Sequence, residues 1–172
     1  MSESFRRMLR ALPDFPAELP AFDPATAPAD PAVLFEQWLQ EALAAGEPQP
    51  HAFSLATADA EGNLSSRMLI LKDIDARGWH FATATTSRKG RELAVNPRAA
   101  LNFYWSRRGR QVRVSGTVVA LSAEASAADW ADRPGGDLSV NPSWQLYALR
   151  PTEIEFWQAS ADRNHIRHHY AP

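Results

Sequence analysis

Apolar residues along this chain follow two different periods. Leu34, Phe35, Trp38, Leu39, Ala42 and Leu43 recur at helical spacing and predict one apolar helix face. Asp30 is placed to cap that helix and Pro31 to fill its first position, while Gly46 and Pro48 end it. From residue 52 the period becomes two. Residues 52–59 and 64–72 read as strands joined by a turn at Asp59-Ala60-Glu61-Gly62, and residues 78–84 as a third. A short helix follows Ser87 and stops at Asn96-Pro97.

Residues 99–106 and 110–121 form a hairpin around Arg107-Arg108-Gly109. In its second arm Val112, Val114 and Val118 share one face, and Gln111, Arg113, Ser115 and Thr117 the other. Residues 122–132 are helical by composition, with Ser122 as N-cap and Arg133-Pro134-Gly135-Gly136 as the break. Residues 152–159 are a last strand, setting Ile154 and Phe156 against Glu153, Glu155 and Trp157. The sum is a mainly β, antiparallel small barrel with short helices.

Residues 13–31 hold six of the thirteen prolines. They read as an extended arm, compatible equally with a disordered tail and with a segment packed on the body. The division expected is an N-terminal Pro/Ala-rich arm over 1–30 and a single domain over 31–172. There is no internal repeat.

Composition narrows the function classes. The 172 residues are 45% hydrophobic and 22% charged, the balance of one globular domain with a real core. A net charge of −2 argues against nucleic acid as partner. No cysteine is present, so disulfides, thiolate catalysis and Cys-ligated metals are excluded. No apolar run has the length of a membrane span, and the N-terminus lacks the apolar stretch of a signal peptide. The expected location is cytoplasmic, which makes the Asn63-Leu64-Ser65 sequon a chance match.

The chemistry begins with a misfit. Arg88 and Lys89 fill the first turn after Ser87, where the helix end is already positive. Glu92 follows Arg88 by four residues, the weaker order for such a pair. With Arg67, Lys72 and Gln111 these residues form a basic, hydrogen-bonding set. From spacing alone a solvated basic face is the commoner outcome. The unfavourable helix end points instead to a bound anion, of which phosphate is the usual case.

A second set comprises Trp157, Arg163, His165 and Arg167. The last three alternate, which on an extended segment puts them on one side and makes either a second anion site or a polar chain end. His165, His168 and His169 have no carboxylate close in sequence, and no metal site is expected. No nucleophile elbow, dinucleotide fingerprint or phosphate-binding P-loop occurs. Of the six tryptophans, Trp157 is the candidate for stacking on a flat ligand.

In order along the chain, RMLILK (67–72), SRKGRELAVNPRAALNFYW (87–105), RQVRVSG (110–116), RP (133–134), IEFWQ (154–158) and RNHIR (163–167) together resemble the pyridoxine/pyridoxamine 5′-phosphate oxidase family. The resemblance spans roughly residues 30–170. It implies an FMN-binding split β-barrel that works as a homodimer with the flavin between subunits. Arg67, Met68, Leu69, Ile70, Leu71 and Lys72 would line the FMN. Thr83, Ser87, Arg88, Lys89 and Gln111 would bind its phosphate and ring, and Trp157 and Arg167 would close the site. Gln145, or Ser143, is the nearest match to the family's Gln-Ser pair. Lys72, Arg133, Arg163 and His165 would hold the phosphate and ring of a small phosphorylated substrate.

The activity so implied passes a hydride from the substrate's exocyclic carbon to flavin N5, with dioxygen as acceptor and hydrogen peroxide released. The pattern also departs from the family. Asp129 stands where a tyrosine is usual, Asp137 where a serine is usual, and Ala82 where an aromatic is usual. A carboxylate at either of the first two positions would repel a substrate phosphate unless it were paired or protonated. The alternatives are therefore an FMN-dependent oxidoreductase of the same fold with another substrate, a non-catalytic flavin-binding protein, and a barrel module that binds no flavin.

Overall fold

Two long strands carry the architecture. In a computed structural model that describes residues 3–133 and 139–171, β6 (Arg110–Ala120) pairs with β7 (Trp144–Gln158) along nearly its whole length. The other strands are β1 (Ala52–Ala58), β2 (Leu64–Ile70), β3 (Asp73–Asp75), β4 (Gly78–Ala84), β5 (Arg98–Trp105) and β8 (Ile166–Tyr170). All pairings are antiparallel, in the order β2-β1-β5-β6-β7-β4-β3. On the edge of β7 away from β6, its first half pairs with β4 and its second half with β8. Among the described residues the helices are α1 (Glu3–Arg10), α2 (Pro31–Ala44), α3 (Arg88–Val95) and α4 (Ala123–Ala131).

The bend that divides β7 lies at Pro151. Register shifts between Ser115 and Gly116 of β6, where Gly116 faces Pro151. A Cβ on Gly116 would fall 2.0 Å from the Arg150 carbonyl oxygen, so only glycine lets the strands approach there. A proline inside a strand removes a ladder hydrogen bond, and the last strand expected from sequence, 152–159, begins only after it. At a bulge its missing N–H costs no ladder bond.

Helix α2 closes the barrel. Asp30 caps it through Ala32 N–H, and Leu34, Phe35, Trp38 and Ala42 are buried. Phe35 meets Trp79 at 4.6 Å and Phe103 at 4.9 Å, and Trp38 meets Phe156 at 5.2 Å. Each such aromatic contact adds about 1 kcal/mol to the area it buries. Leu43 departs from the expected face and is exposed. Five residues past Trp38, it is turned about 140° from that side chain, beyond the edge of the buried stripe.

Arg110, with 2% of its surface accessible, ties α2 to the sheet. Its guanidinium lies 4.2 Å over the Trp38 ring, donates to Glu41 Oε2 at 2.9 Å and to Gln158 Oε1 at 2.8 Å. A buried cation is tolerable only with partners of this kind.

The segment before α2 lies against the barrel. Phe22 stacks edge-on against Trp38, Phe15 reaches Trp157, and the Pro28 carbonyl accepts from Tyr170 Oη. Residues 3–10 are helical, an element that the proline pattern downstream does not announce. No described helix is long and apolar enough to cross a membrane.

Candidate functional site

The expected site residues fall into two groups. The first surrounds the start of α3. Ser87 caps this helix, its Oγ accepting from Gly90 N–H at 3.1 Å. Gly90 is required because a Cβ there would sit 2.5 Å from the Ala84 carbonyl oxygen. The helix start is thereby pressed onto the end of β4, and the Thr83 and Ser87 hydroxyls lie 3.3 Å apart.

Glu92 organises the cations. It is buried at 5% accessibility and accepts from Arg88 Nε at 2.8 Å. It also accepts from Thr57 Oγ1 at 2.5 Å and from Ser65 Oγ at 2.8 Å. The same two hydroxyls accept from the fork of Arg67, whose Nη2 lies 3.3 Å from Glu92. Every member of the network is satisfied, which favours one geometry. The hydrogen bond from Thr57, helped by Ser65 and Arg88, holds the Glu92 carboxyl down at about 2. Arg88 thus has an internal counter-ion despite the weaker pair order.

Lys89 has none. It is half-buried and, among the described residues, makes no ion pair. Burial, and then the charge of Arg67, push its ammonium below the usual lysine value. Arg67, Arg88 and Lys89 against Glu92 leave an excess of two positive charges, which balances the two negative charges of a phosphomonoester dianion. This receptor fits a phosphate at the amino end of α3.

Beside it Met68, Leu69, Ile70, Lys72, Ala82, Arg133 and Trp144 line a mostly apolar cavity of about 320 Å³. Lys72 Nζ lies 3.2 Å from Asp129 Oδ1, and Asp129 Oδ2 accepts from Trp144 Nε1 at 2.8 Å. The Arg133 guanidinium is stacked over Trp130 and Trp144, at 4.4 and 4.7 Å. Asp137 and Pro134 lie outside the described residues. The Gln145 amide is turned elsewhere, donating to the Leu121 and Leu146 carbonyls and to Ser126 Oγ.

The second group sits at the far end of β7. Gln111, Trp157 and Arg167 are neighbours across three strands. The Trp157 ring meets His165 at 4.8 Å and Phe15 at 5.8 Å, so part of its stacking surface is covered by the chain itself. His165 Nδ1 accepts from Ser160 N–H at 3.1 Å. Arg167 is exposed, 3.9 Å from the buried Glu155.

Arg163 departs from its expected place on an extended segment. Its φ is 65° in the turn that precedes β8, and its guanidinium pairs with Asp14 at 2.6 Å. A left-handed residue breaks the alternation, so Arg163 does not share a strand face with His165 and Arg167.

Three residues absent from the sequence reading converge elsewhere. Asp73, Asp75 and His80 bring ligand atoms within 4.8 Å of one another. Arg77 Nε donates to Asp75 at 2.8 Å, and that guanidinium holds the carboxyl at about 2. His80 Nε2 is 2.9 Å from Asp75 but makes no well-aligned hydrogen bond. The group is an ion-paired hairpin end in which Arg77 supplies the positive charge.

Comparison with known proteins bears on this arrangement. The family model described as pyridoxamine 5′-phosphate oxidase matches residues 39–158. A pyridoxine/pyridoxamine 5′-phosphate oxidase of Bordetella petrii is 38% identical over 86% of this chain and 85% of its own length. The crystal structure of PhzG from Burkholderia lata 383, in complex with tetrahydrophenazine-1-carboxylic acid, has a TM-score of 0.84 at 31% identity, covering 90% of this chain and 93% of that one. A pyridoxamine 5′-phosphate oxidase-related, FMN-binding protein of Nostoc punctiforme has a TM-score of 0.62 at 16% identity, over 85% of this chain and 100% of that one, a likeness of fold alone.

Proposed function

The chain belongs to the pyridoxamine 5′-phosphate oxidase family, and from that premise we propose that it is an FMN-dependent oxidase acting on a small molecule. The observation that carries this reading is the receptor at α3, with Lys89 half-buried beside Arg67 and without a counter-ion. Arg67, Ser87, Arg88 and Lys89 would hold the flavin phosphate, and the backbone from Met68 to Leu71 would run beside the ring. When bound, FMN supplies the redox chemistry, taking hydride at N5 and passing electrons to dioxygen. The protein's own part is to bind, orient and exclude water. No general base is called for.

A homodimer with FMN at the interface belongs to the same proposal. Leu64, Met68 and Ile70 point outward from the edge strand β2, and Met68 is 63% exposed. An apolar row of this kind favours a partner surface. The split of the expected residues between the two ends of β7 supports the same arrangement, with Gln111, Trp157, His165 and Arg167 contributed from a second copy.

Two readings of the substrate have support. Likeness to the Bordetella petrii enzyme favours pyridoxamine or pyridoxine 5′-phosphate. The contact between Lys72 and Asp129 favours a different substrate, because the expected phosphate ligand is already paired. The ligand of PhzG, a carboxylic acid without phosphate, is in keeping with the second. The test is direct. The purified protein should be yellow, or become so with added FMN. Mixing it with pyridoxamine 5′-phosphate under air then separates the readings by aldehyde and peroxide above the free-flavin background. A colourless protein that ignores FMN removes both.

A further inference from the structure

We propose that helix α1 docks on an anionic lipid surface, laying Phe5, Met8, Leu9 and Leu12 into it and setting its arginines against the headgroups. The four apolar residues recur at i, i+3, i+4 and i+7. That spacing gathers them within an arc of about 100° on one helix face. Helical hydrogen bonding runs on past Arg10, from Ala11 N–H to the Arg7 carbonyl and from Leu12 N–H to the Leu9 carbonyl, so Leu12 completes the row. No described part of the chain covers it. Every side chain from Ser4 to Leu12 is exposed, Met8 at 53% and Leu12 at 58%.

Charge and size select the occupant. Residues 4–12 carry Arg6, Arg7 and Arg10 and no acid, while the rest of the chain has more acids than cations. Arg6 and Arg10 lie on the side of the row next to Leu9, and Arg7 lies behind it. An arginine beside an apolar face buries its stem and lifts its head to the phosphates. Each basic side chain near anionic lipid adds attraction, which salt screens. A stable protein interface takes about 20–30 residues a side. This helix offers four apolar ones on a rod about 15 Å long. A lipid surface asks for no matching relief, only an apolar face with cations beside it. The mounting suits such a contact. Pro13 stops the helix, Asp14 then pairs with Arg163 at 2.6 Å, and Phe15 meets Trp157 at 5.8 Å. The barrel therefore carries α1 at one end, with the row turned to solvent.

The experiment floats the whole chain with vesicles of phosphatidylcholine alone and of phosphatidylcholine mixed with phosphatidylglycerol, at low and at high salt. At low salt the bound fraction should be about fivefold higher or more on the anionic vesicles, and it should fall toward the neutral level at high salt. Leu9→Glu sets a charge in the middle of the row and should abolish binding, with the thermal midpoint unmoved because Leu9 is exposed. Arg6→Gln together with Arg10→Gln should bring the anionic vesicles down to the neutral level. Equal binding to both vesicles, or to neither, overturns the proposal, and so does Leu9→Glu binding like the parent. A Leu9→Glu protein that sediments at a lower mass than the parent without vesicles shows the row packed on a second copy, and overturns it too. The comparison of vesicles needs no variant, so it decides even if a substitution fails to fold.

Discussion

Glu92 accepts a hydrogen bond from Arg88 at 2.8 Å while lying within 3.3 Å of Arg67, so one buried carboxylate holds two cations of the receptor at once. Glu92→Ala removes it and takes away the acceptor of the Thr57 and Ser65 hydroxyl protons and of Arg88 Nε, and the counter-ion of Arg67. Unpaired buried groups of this kind cost about 3 kcal/mol in all. The urea midpoint should fall accordingly, and FMN affinity should fall with it. A variant as stable as the parent would show that the network carries little.

The same residue sets an acid limit. Its folded-state carboxyl is depressed to about 2, below its ordinary value of 4.5. A depressed acid contributes stability that is complete above the ordinary value and is lost as pH falls toward the folded one. Between pH 5 and pH 2.5 the parent should therefore lose stability faster than Glu92→Gln, which has no charge to titrate there. Denaturant melts at four or five pH values give the two slopes, and parallel slopes would contradict the assignment.

Lys89 is the cation without a partner, and its role separates from folding. Lys89→Met should raise the dissociation constant for FMN by ten- to a hundredfold, from the loss of one charge-assisted contact, while the thermal midpoint of the apoprotein stays level or rises slightly. Arg88→Glu sets two acids four residues apart and should weaken FMN further, with a smaller effect on folding because Arg88 is largely exposed. Flavin fluorescence quenching and a melt of the apoprotein give both quantities. Equal losses in binding and stability would make either residue structural.

The outward row on β2 gives a test of assembly. Met68→Glu places a charge in the middle of that row, between Leu64 and Ile70. The variant should sediment as a monomer and bind FMN at least tenfold more weakly, because half of the proposed site comes from the partner. A dimer that persists with full affinity would move the interface elsewhere.

Much of this was legible in the chain, and the exceptions have physical causes. The helix after Ser87, the hairpin over 98–120 and the stripe on α2 follow from local periods and caps, which is why they agree with the structure. The first half of β7 escaped because Pro151 reads as a strand breaker until its bulge is known. Strand β8 escaped because Ile166, His168 and Tyr170 alternate with Arg167 and His169, and a histidine-rich tail hides the period of two. Arg67, Ser87, Arg88 and Lys89, far apart or adjacent in the chain, meet at the start of α3. The family resemblance could not reveal that Glu92 is buried and shared between Arg88 and Arg67, because Thr57 and Ser65 reach it from 35 and 27 residues away. Nor could it show Lys72 bound to Asp129, a contact between β3's approach and α4 that no local spacing encodes.

The tether from Glu92 also bears on how quickly the receptor can be filled. Arg67 and Arg88 are already anchored before any anion arrives, so little side-chain freedom remains to be lost on arrival. Capture should then proceed in a single kinetic phase, at a rate set by encounter and slowed by salt, with no slower step in which the arginines search for their places.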